Sequence, residues 1–121
     1  MDINSYLAKQ YSAQPCWELV ADVYDRELQA IAVGYKTVNR SIREMAGAFR
    51  IAIHKTAHGF EKIDIPVDLC IVLLGKTEVM GIHHCGIYFQ GKVLHAMPES
   101  TLYEELSVIK DRYSVVEFWA K

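Results

Sequence analysis

The chain has almost no net charge, no long apolar run and no basic N-terminal stretch, and each of these shortages excludes a class of protein. The 13 Lys and Arg residues nearly balance the 15 Asp and Glu residues, so nothing in the composition favours binding to nucleic acid or to an anionic membrane. The longest apolar run, at residues 69–74, is far too short to span a bilayer. Because residues 1–4 lack the basic stretch and apolar core of a secretory signal, we expect synthesis in the cytoplasm without a signal peptide.

Cysteine is also scarce, and its number limits the covalent chemistry of the fold. Three cysteines cannot all pair with one another, and their spacing is not that of a disulfide framework, so a reducing compartment is expected. With 121 residues, of which 51% are hydrophobic, the chain is long enough for one globular domain spanning residues 1–121 and too short for two full ones. We expect no cofactor.

The hydrophobic periodicity changes along the chain from helical to extended. We predict three helices, at residues 4–10, 15–28 and 39–54. The apolar run at residues 69–74 predicts a central strand covered on both faces. One or two helical turns are predicted at residues 103–110, and a last strand at residues 113–119. Helices followed by strands predict an α+β fold with an antiparallel sheet.

A β-hairpin is predicted at residues 81–96, where two β-rich runs meet at a Gln-Gly dipeptide. Glycine as the second central residue suits a two-residue turn whose backbone needs positive φ. This register places Gly86 opposite His95. Because residues directly opposite share a face, His84 and His95 point the same way and lie within reach of a hydrogen bond. The other face is apolar and suited to burial, with Cys85, Ile87, Phe89, Leu94 and Ala96.

Two interpretations of the histidine pair stay open. A neutral histidine is the usual general base near pH 7, and a second polar residue can fix its tautomer. Alternatively, the two rings are core histidines that satisfy each other's hydrogen bonds. A zinc site is disfavoured because adjacent strand residues point apart and the usual paired-cysteine spacings are missing, so we expect no metal at His83, His84, Cys85 and His95.

Cys16 is the candidate nucleophile because it lies at the N-terminal end of a predicted helix that begins at Pro15. There the macrodipole and the unpaired backbone N–H groups favour the thiolate, which is the form that attacks a carbonyl carbon. The alternative is that Cys16 is a small buried hydrophobe, as most free cysteines are. Cys70, inside the apolar run, and Cys85, on the inward face of the hairpin, fit that alternative better.

Four features together form a recognisable pattern. They are Cys16 at the start of a helix, an aspartate-containing strand at residues 66–73, a His-Cys-Gly-Ile-Tyr-Phe strand beginning at His84, and a returning strand that ends in His95-Ala96. With these features the chain resembles the NlpC family of bacterial cell-wall cysteine peptidases over about residues 6–97. The resemblance implies a papain-like α+β fold in which N-terminal helices pack on a small antiparallel β-sheet.

The resemblance also implies the roles of the site residues. Cys16 would be the nucleophile, His84 the general base and later the acid, and His95 the residue that orients His84. The oxyanion would be held by the Cys16 backbone N–H and by an upstream side chain. Our choice for that side chain is Tyr11, with Tyr6 and Gln10 as alternatives. Trp17 is a candidate contact with the substrate.

The substrate that the resemblance implies is an amide bond in the peptide part of peptidoglycan, between D-glutamate and the following diamino acid. Typical wall hydrolases read Asp-Cys-Ser-Gly at the nucleophile, whereas this chain reads Pro-Cys-Trp-Glu-Leu-Val. That form is similar to short members associated with phage or prophage tail assembly, so the expected partners are the peptidoglycan stem peptide and phage tail proteins, and the expected location includes the virion. Two alternatives stay open: a structural tail-assembly protein that keeps the fold without turnover, and a papain-like amidase or acyltransferase acting on another substrate.

Overall fold

The computed structural model describes residues 1–11, 15–28 and 61–120. These residues form an α+β architecture in which helices pack on both faces of a six-stranded antiparallel sheet. The helices are α1 (Ile3–Leu7), α2 (Pro15–Val23) and α3 (Leu106–Arg112), and α2 continues as one π-helical turn at Tyr24–Leu28. The strands are β1 (Glu61–Ile63), β2 (Ile71–Gly75), β3 (His84–Phe89), β4 (Lys92–Ala96), β5 (Thr101–Glu105) and β6 (Val115–Ala120). Their spatial order is β1-β6-β2-β3-β4-β5.

Helix α2 packs on the sheet as the sequence predicts. It begins at Pro15, whose fixed φ and missing N–H suit the first helical position. Its buried face recurs at helical spacing and consists of Cys16, Trp17, Leu19, Val20 and Val23. This face lies against β3 and β4, so the first turn of the helix carries Cys16 to the sheet.

Strand β2 is covered on both faces, as its unbroken apolar run predicts. Ile71 and Leu73 belong to the cluster that includes α2, whereas Val72 and Leu74 belong to the cluster on the other side of the sheet. The strand begins two residues later than expected. Leu69 has a φ of 70°, which is left-handed backbone that cannot continue a strand.

The hairpin formed by β3 and β4 confirms the predicted register. Tyr88 pairs with Val93 and Phe89 pairs with Lys92, which leaves a two-residue turn. Both turn residues have positive φ, 50° at Gln90 and 85° at Gly91, as a type I′ turn requires. The hairpin therefore places His84 and His95 on one face of the sheet.

Gly86 leaves the space in which the two histidines meet. A Cβ at this position would lie 2.7 Å from the Leu94 carbonyl oxygen and 3.0 Å from the His95 Cβ. Because a backbone carbonyl cannot retreat without disturbing the hairpin, we expect Gly86→Ala to lower the free energy of unfolding by about 1–3 kcal/mol. Urea denaturation measures the change, and an unaltered midpoint would contradict it.

The C-terminal third of the chain matches the prediction in part. The last strand is confirmed as β6, and the helical turns predicted at residues 103–110 are present from Leu106 in α3, but β5 occupies Thr101–Glu105. The Glu-Glu-Leu sequence favours a helix, but pairing of β5 with β4 overrides it. The predicted helix at residues 39–54 lies outside the described residues. Within the part of the chain that the structure describes, none of the helices has the length and apolar character needed to cross a membrane.

Candidate active site

The Cys16 sulfur lies where the start of α2 meets the start of β3. Cys16 is 3% exposed and packs in the same core cluster as Cys85. It lies close enough to the side chains of both Cys85 and His84 for each of them to lower its pKa. These two residues are adjacent on β3 and point to opposite faces of the sheet, so Cys16 lies near both at the start of the strand. The structure therefore brings the predicted nucleophile and the predicted base together.

The surroundings of Cys16 favour its thiolate. The hydrogen bond from the Cys85 thiol lowers the pKa of Cys16 most, and the hydrogen bond and charge of His84 lower it further, which together outweigh the effect of burial. The other two cysteines behave oppositely, since burial raises the pKa of Cys85 well above its usual value and that of Cys70 to about 11. Cys16 is thus the cysteine expected to react at neutral pH.

His84 and His95 meet as the hairpin register predicts. His84 Nε2 lies 2.9 Å from His95 Nδ1, and the rings form an edge-to-face pair with centroids 5.1 Å apart. Both side chains are buried, with exposures of 7% and 0%. Because Nε2 of His84 is engaged with His95, Nδ1 is the ring nitrogen left for Cys16.

The hydrogen-bond chain continues beyond the predicted residues. His95 Nε2 lies 2.7 Å from Glu104 Oε1 on β5. Arg112, at the end of α3, donates to both carboxylate oxygens of Glu104 at 3.0 Å each. Hydrogen bonds from Arg112 lower the pKa of Glu104 to about 2, and His95 adds to the effect. Glu104 is therefore a carboxylate that can only accept hydrogen bonds.

One aromatic residue, Tyr113, packs against both His84 and the neighbouring His83. Tyr113, which is 4% exposed, stacks on His84 with ring centroids 6.0 Å apart and planes inclined by 24°. His83 lies against the same tyrosine at 6.0 Å, and its Nε2 accepts a hydrogen bond from the Lys76 backbone N–H. His83 thus has a structural partner outside the Cys16 cluster.

Tyr11, the predicted oxyanion donor, has another partner. Its hydroxyl donates to Asp22 Oδ2 at 2.7 Å, and Lys9 and Arg26 also bind this carboxylate. Burial raises the pKa of Tyr11 far above its usual value, and the hydrogen bond to Asp22 adds to this. Because the single hydroxyl hydrogen is engaged with Asp22, an oxyanion role for Tyr11 requires it to leave that partner. The assignment stays a prediction.

Two further predictions from the sequence are that Trp17 contacts the substrate and that no zinc is bound at the histidines. Trp17 is 3% exposed and belongs to the core between α2 and the sheet. It has little surface to offer a substrate, and its role in substrate binding stays a prediction. Within residues 1–11, 15–28 and 61–120, no three His, Cys, Asp or Glu side chains are grouped as a metal site would need.

Glu104 and Arg112 are the site residues that sequence reasoning missed. Glu104 lies on β5 opposite Val93, and His95 lies opposite Leu102. The four residues therefore share one face of the sheet. A signal was present, since Thr and Tyr in the Thr-Leu-Tyr-Glu-Glu segment favour a strand. That signal indicates a strand but not its pairing with β4, and it is this pairing that brings Glu104 beside His95.

The stability of the fold should depend on pH through the His95–Glu104 pair. Burial, with the charge of His84, lowers the pKa of His95 from 6.5 to about 4, although Glu104 opposes the shift. The unfolded chain therefore binds more protons than the folded chain, at His95 between pH 6.5 and 4 and at Glu104 between pH 4.5 and 2. We expect the free energy of unfolding to fall as the pH drops through both ranges.

Urea denaturation between pH 4 and pH 7 measures this dependence. His95→Asn keeps an acceptor for His84 but does not titrate, so its stability should change less across this range than that of the wild type. Equal slopes for the two proteins would contradict the assignment of the acid sensitivity to His95.

The resemblance of the hairpin to the NlpC-type peptidases stays a prediction after comparison with known proteins. A scan against protein-family models gave no match, and searches of curated proteins and of solved structures gave no significant match either.

Proposed function

We propose that the protein is a cysteine hydrolase with a papain-like active site, in which Cys16 is the nucleophile, His84 the general base and acid, and His95 the orienting residue. The observation that carries the proposal is the hydrogen-bonded chain that begins at His84, passes through His95 and ends at Glu104 and Arg112, with Cys16 close enough to His84 for that imidazole to lower its pKa. A thiol beside an imidazole that a third group orients is the arrangement of nucleophilic catalysis.

The reaction would proceed through a thioester. Transfer of the thiol proton to Nδ1 of His84 leaves the Cys16 thiolate, which attacks the carbonyl carbon of an amide. As the tetrahedral intermediate collapses, the C–N bond breaks and His84 gives its proton to the leaving amine. Water then attacks the thioester carbonyl while His84 takes a proton from it, and cleavage of the C–S bond releases the acid and regenerates the thiolate.

Backbone geometry supports stabilisation of the oxyanion. Cys16 is the second residue of α2, where backbone N–H groups have no acceptor within the helix. Its N–H can donate to an oxygen that becomes negative next to the sulfur. Tyr11 is the second donor in the proposal, and this role requires its hydroxyl to exchange Asp22 for the oxyanion.

The proposed substrate is an amide in the peptide part of peptidoglycan, between D-glutamate and the diamino acid that follows. The resemblance of the hairpin to the NlpC-type peptidases supports this choice, because the chain has that family's His-x-Gly-Ile-Tyr pattern from His84 and the His-Ala pair at His95 and Ala96. The Cys-Trp-x-Leu-Val form that begins at Cys16, similar to short tail-associated members, supports a role in a phage tail that acts on the bacterial wall.

The test is release of new amino groups from isolated bacterial wall fragments, with mass spectrometry of the products. We expect wild-type protein to release them and Cys16→Ala to release none. No release by either protein, together with cleavage of other amides or esters by the wild type alone, would replace the peptidoglycan substrate with a different one and leave the cysteine chemistry in place.

A second candidate is a structural tail-assembly protein that needs no turnover. Burial favours it, because Cys16 is only 3% exposed and His84 only 7%, whereas a nucleophile must reach its substrate. Normal tail formation by a phage that carries Cys16→Ala, with loss of tails only on deletion of the whole chain, would support assembly. Loss of infection through the wall with intact Cys16→Ala tails would support catalysis.

A further inference from the structure

Glu104 and Arg112 form the end of the hydrogen-bond chain that is farthest from Cys16. Arg112 donates to Glu104 Oε1 and Oε2, both at 3.0 Å. This bidentate pair fixes the plane of the carboxylate. The Glu104 side chain is 23% exposed, whereas His95, which contacts its Oε1, is fully buried. The carboxylate therefore directs a charged acceptor at a ring that has no access to solvent.

The direction of the hydrogen bonds follows from the acceptor at the end of the chain. Since ionised Glu104 can only accept, His95 must carry a hydrogen on Nε2. A neutral His95 then has a bare Nδ1, which accepts a hydrogen bond from Nε2–H of His84. Neutral His84 in turn has a bare Nδ1, and since Nε2 is engaged with His95, Nδ1 is the nitrogen that takes the thiol proton in the proposed reaction.

We propose that Glu104, held by Arg112, is a positioning residue that sets the tautomers of both histidines and thereby makes His84 Nδ1 available to Cys16. The inference rests on the proposed cysteine chemistry and adds two residues to it. Without the carboxylate, His95 can carry its hydrogen on Nδ1 and donate to His84 Nε2. His84 then carries its own hydrogen on Nδ1, where it blocks acceptance of a proton from Cys16.

Glu104→Gln tests the positioning role, because an amide can either accept from His95 or donate to it and no longer dictates the direction of the chain. The matched control is Glu105→Gln. Glu105 is the next residue on β5, its side chain is 62% exposed, and it is paired at 3.8 Å with Lys92. The two substitutions make the same change in charge on opposite faces of one strand.

The readout is the rate of Cys16 alkylation by iodoacetamide as a function of pH, followed by mass spectrometry, with urea denaturation to show that each variant is folded. We expect Glu104→Gln to raise the apparent pKa of Cys16 by about one pH unit. At pH values below the inflection of the profile, alkylation would then be about tenfold slower than in the wild type. Cys85, Tyr113 and His83 also face this site, but neither substitution changes them. Glu105→Gln should keep the wild-type profile. A wild-type profile for Glu104→Gln, or equal shifts in both variants, would overturn the proposal.

Imidazole ¹⁵N NMR of the unmodified wild-type protein tests the same point without any variant. We expect both His84 and His95 to carry hydrogen on Nε2 at neutral pH, and hydrogen on Nδ1 of His95 would overturn the proposal. Neither measurement involves wall fragments. If the wild type does not cleave wall fragments but Glu104→Gln shows the expected alkylation shift, only the proposed substrate is wrong. If the wild type cleaves wall fragments and Glu104→Gln shows no shift, only the positioning role of Glu104 is wrong.

Discussion

Cys16→Ser is expected to reduce amide cleavage on the order of 10³-fold or more. Serine keeps the shape of the side chain, but its hydroxyl does not ionise at neutral pH, whereas the hydrogen bonds from Cys85 and His84 hold the pKa of the Cys16 thiol well below its usual value. The measurement is the initial rate of amino-group release under identical conditions for both proteins.

Cys70→Ala is the matched control for this substitution. Cys70 is also a free, buried cysteine, but it belongs to the core cluster on the other side of the sheet. We expect its removal to affect stability and to leave the rate of the folded protein close to that of the wild type. Equal rates for Cys16→Ser and the wild type would end the assignment of the nucleophile.

His84→Ala is expected to lower amide cleavage on the order of 10²- to 10⁴-fold. The substitution removes the group that accepts the thiol proton and later protonates the leaving amine. It also removes a hydrogen bond and a positive charge that lower the pKa of Cys16, so alkylation of Cys16 between pH 6 and pH 7 should slow in parallel.

The neighbouring His83→Ala is the control, because its imidazole packs against Tyr113 and accepts a hydrogen bond from the Lys76 backbone, and the proposed mechanism gives it no proton to transfer. Both rates should stay close to the wild-type values in this variant. If His83→Ala lost activity and His84→Ala kept it, the two histidines would have exchanged roles.

The hairpin and the position of Cys16 could be predicted because local rules determine both. A Gln-Gly turn fixes the register of β3 and β4, and in an antiparallel pair the register decides which side chains share a face. Pro15 marks the first residue of α2. These two rules place His84 and His95 on one face of the sheet and Cys16 at the start of a helix, whereas the expectation that this helix brings Cys16 to the hairpin comes from the resemblance to the NlpC-type peptidases.

The outer part of the site could not be predicted because it depends on contacts between distant segments. Glu104 acts on His95 only because β5 pairs with β4, and the sequence of β5 favours a helix near its end. Arg112 reaches Glu104 from the last turn of α3. The engagement of Tyr11 with Asp22 is a tertiary contact of the same kind. Side-chain partners of this type follow from packing and have no periodicity in the sequence.

The pH dependence of Cys16 alkylation in the wild-type protein tests the central claim most directly, since it measures the activated thiolate without any assumption about substrate. We predict an apparent pKa for Cys16 well below the ordinary thiol value of about 8.5, with Cys70 and Cys85 unmodified at neutral pH. An apparent pKa for Cys16 at or above about 8.5 would contradict the account.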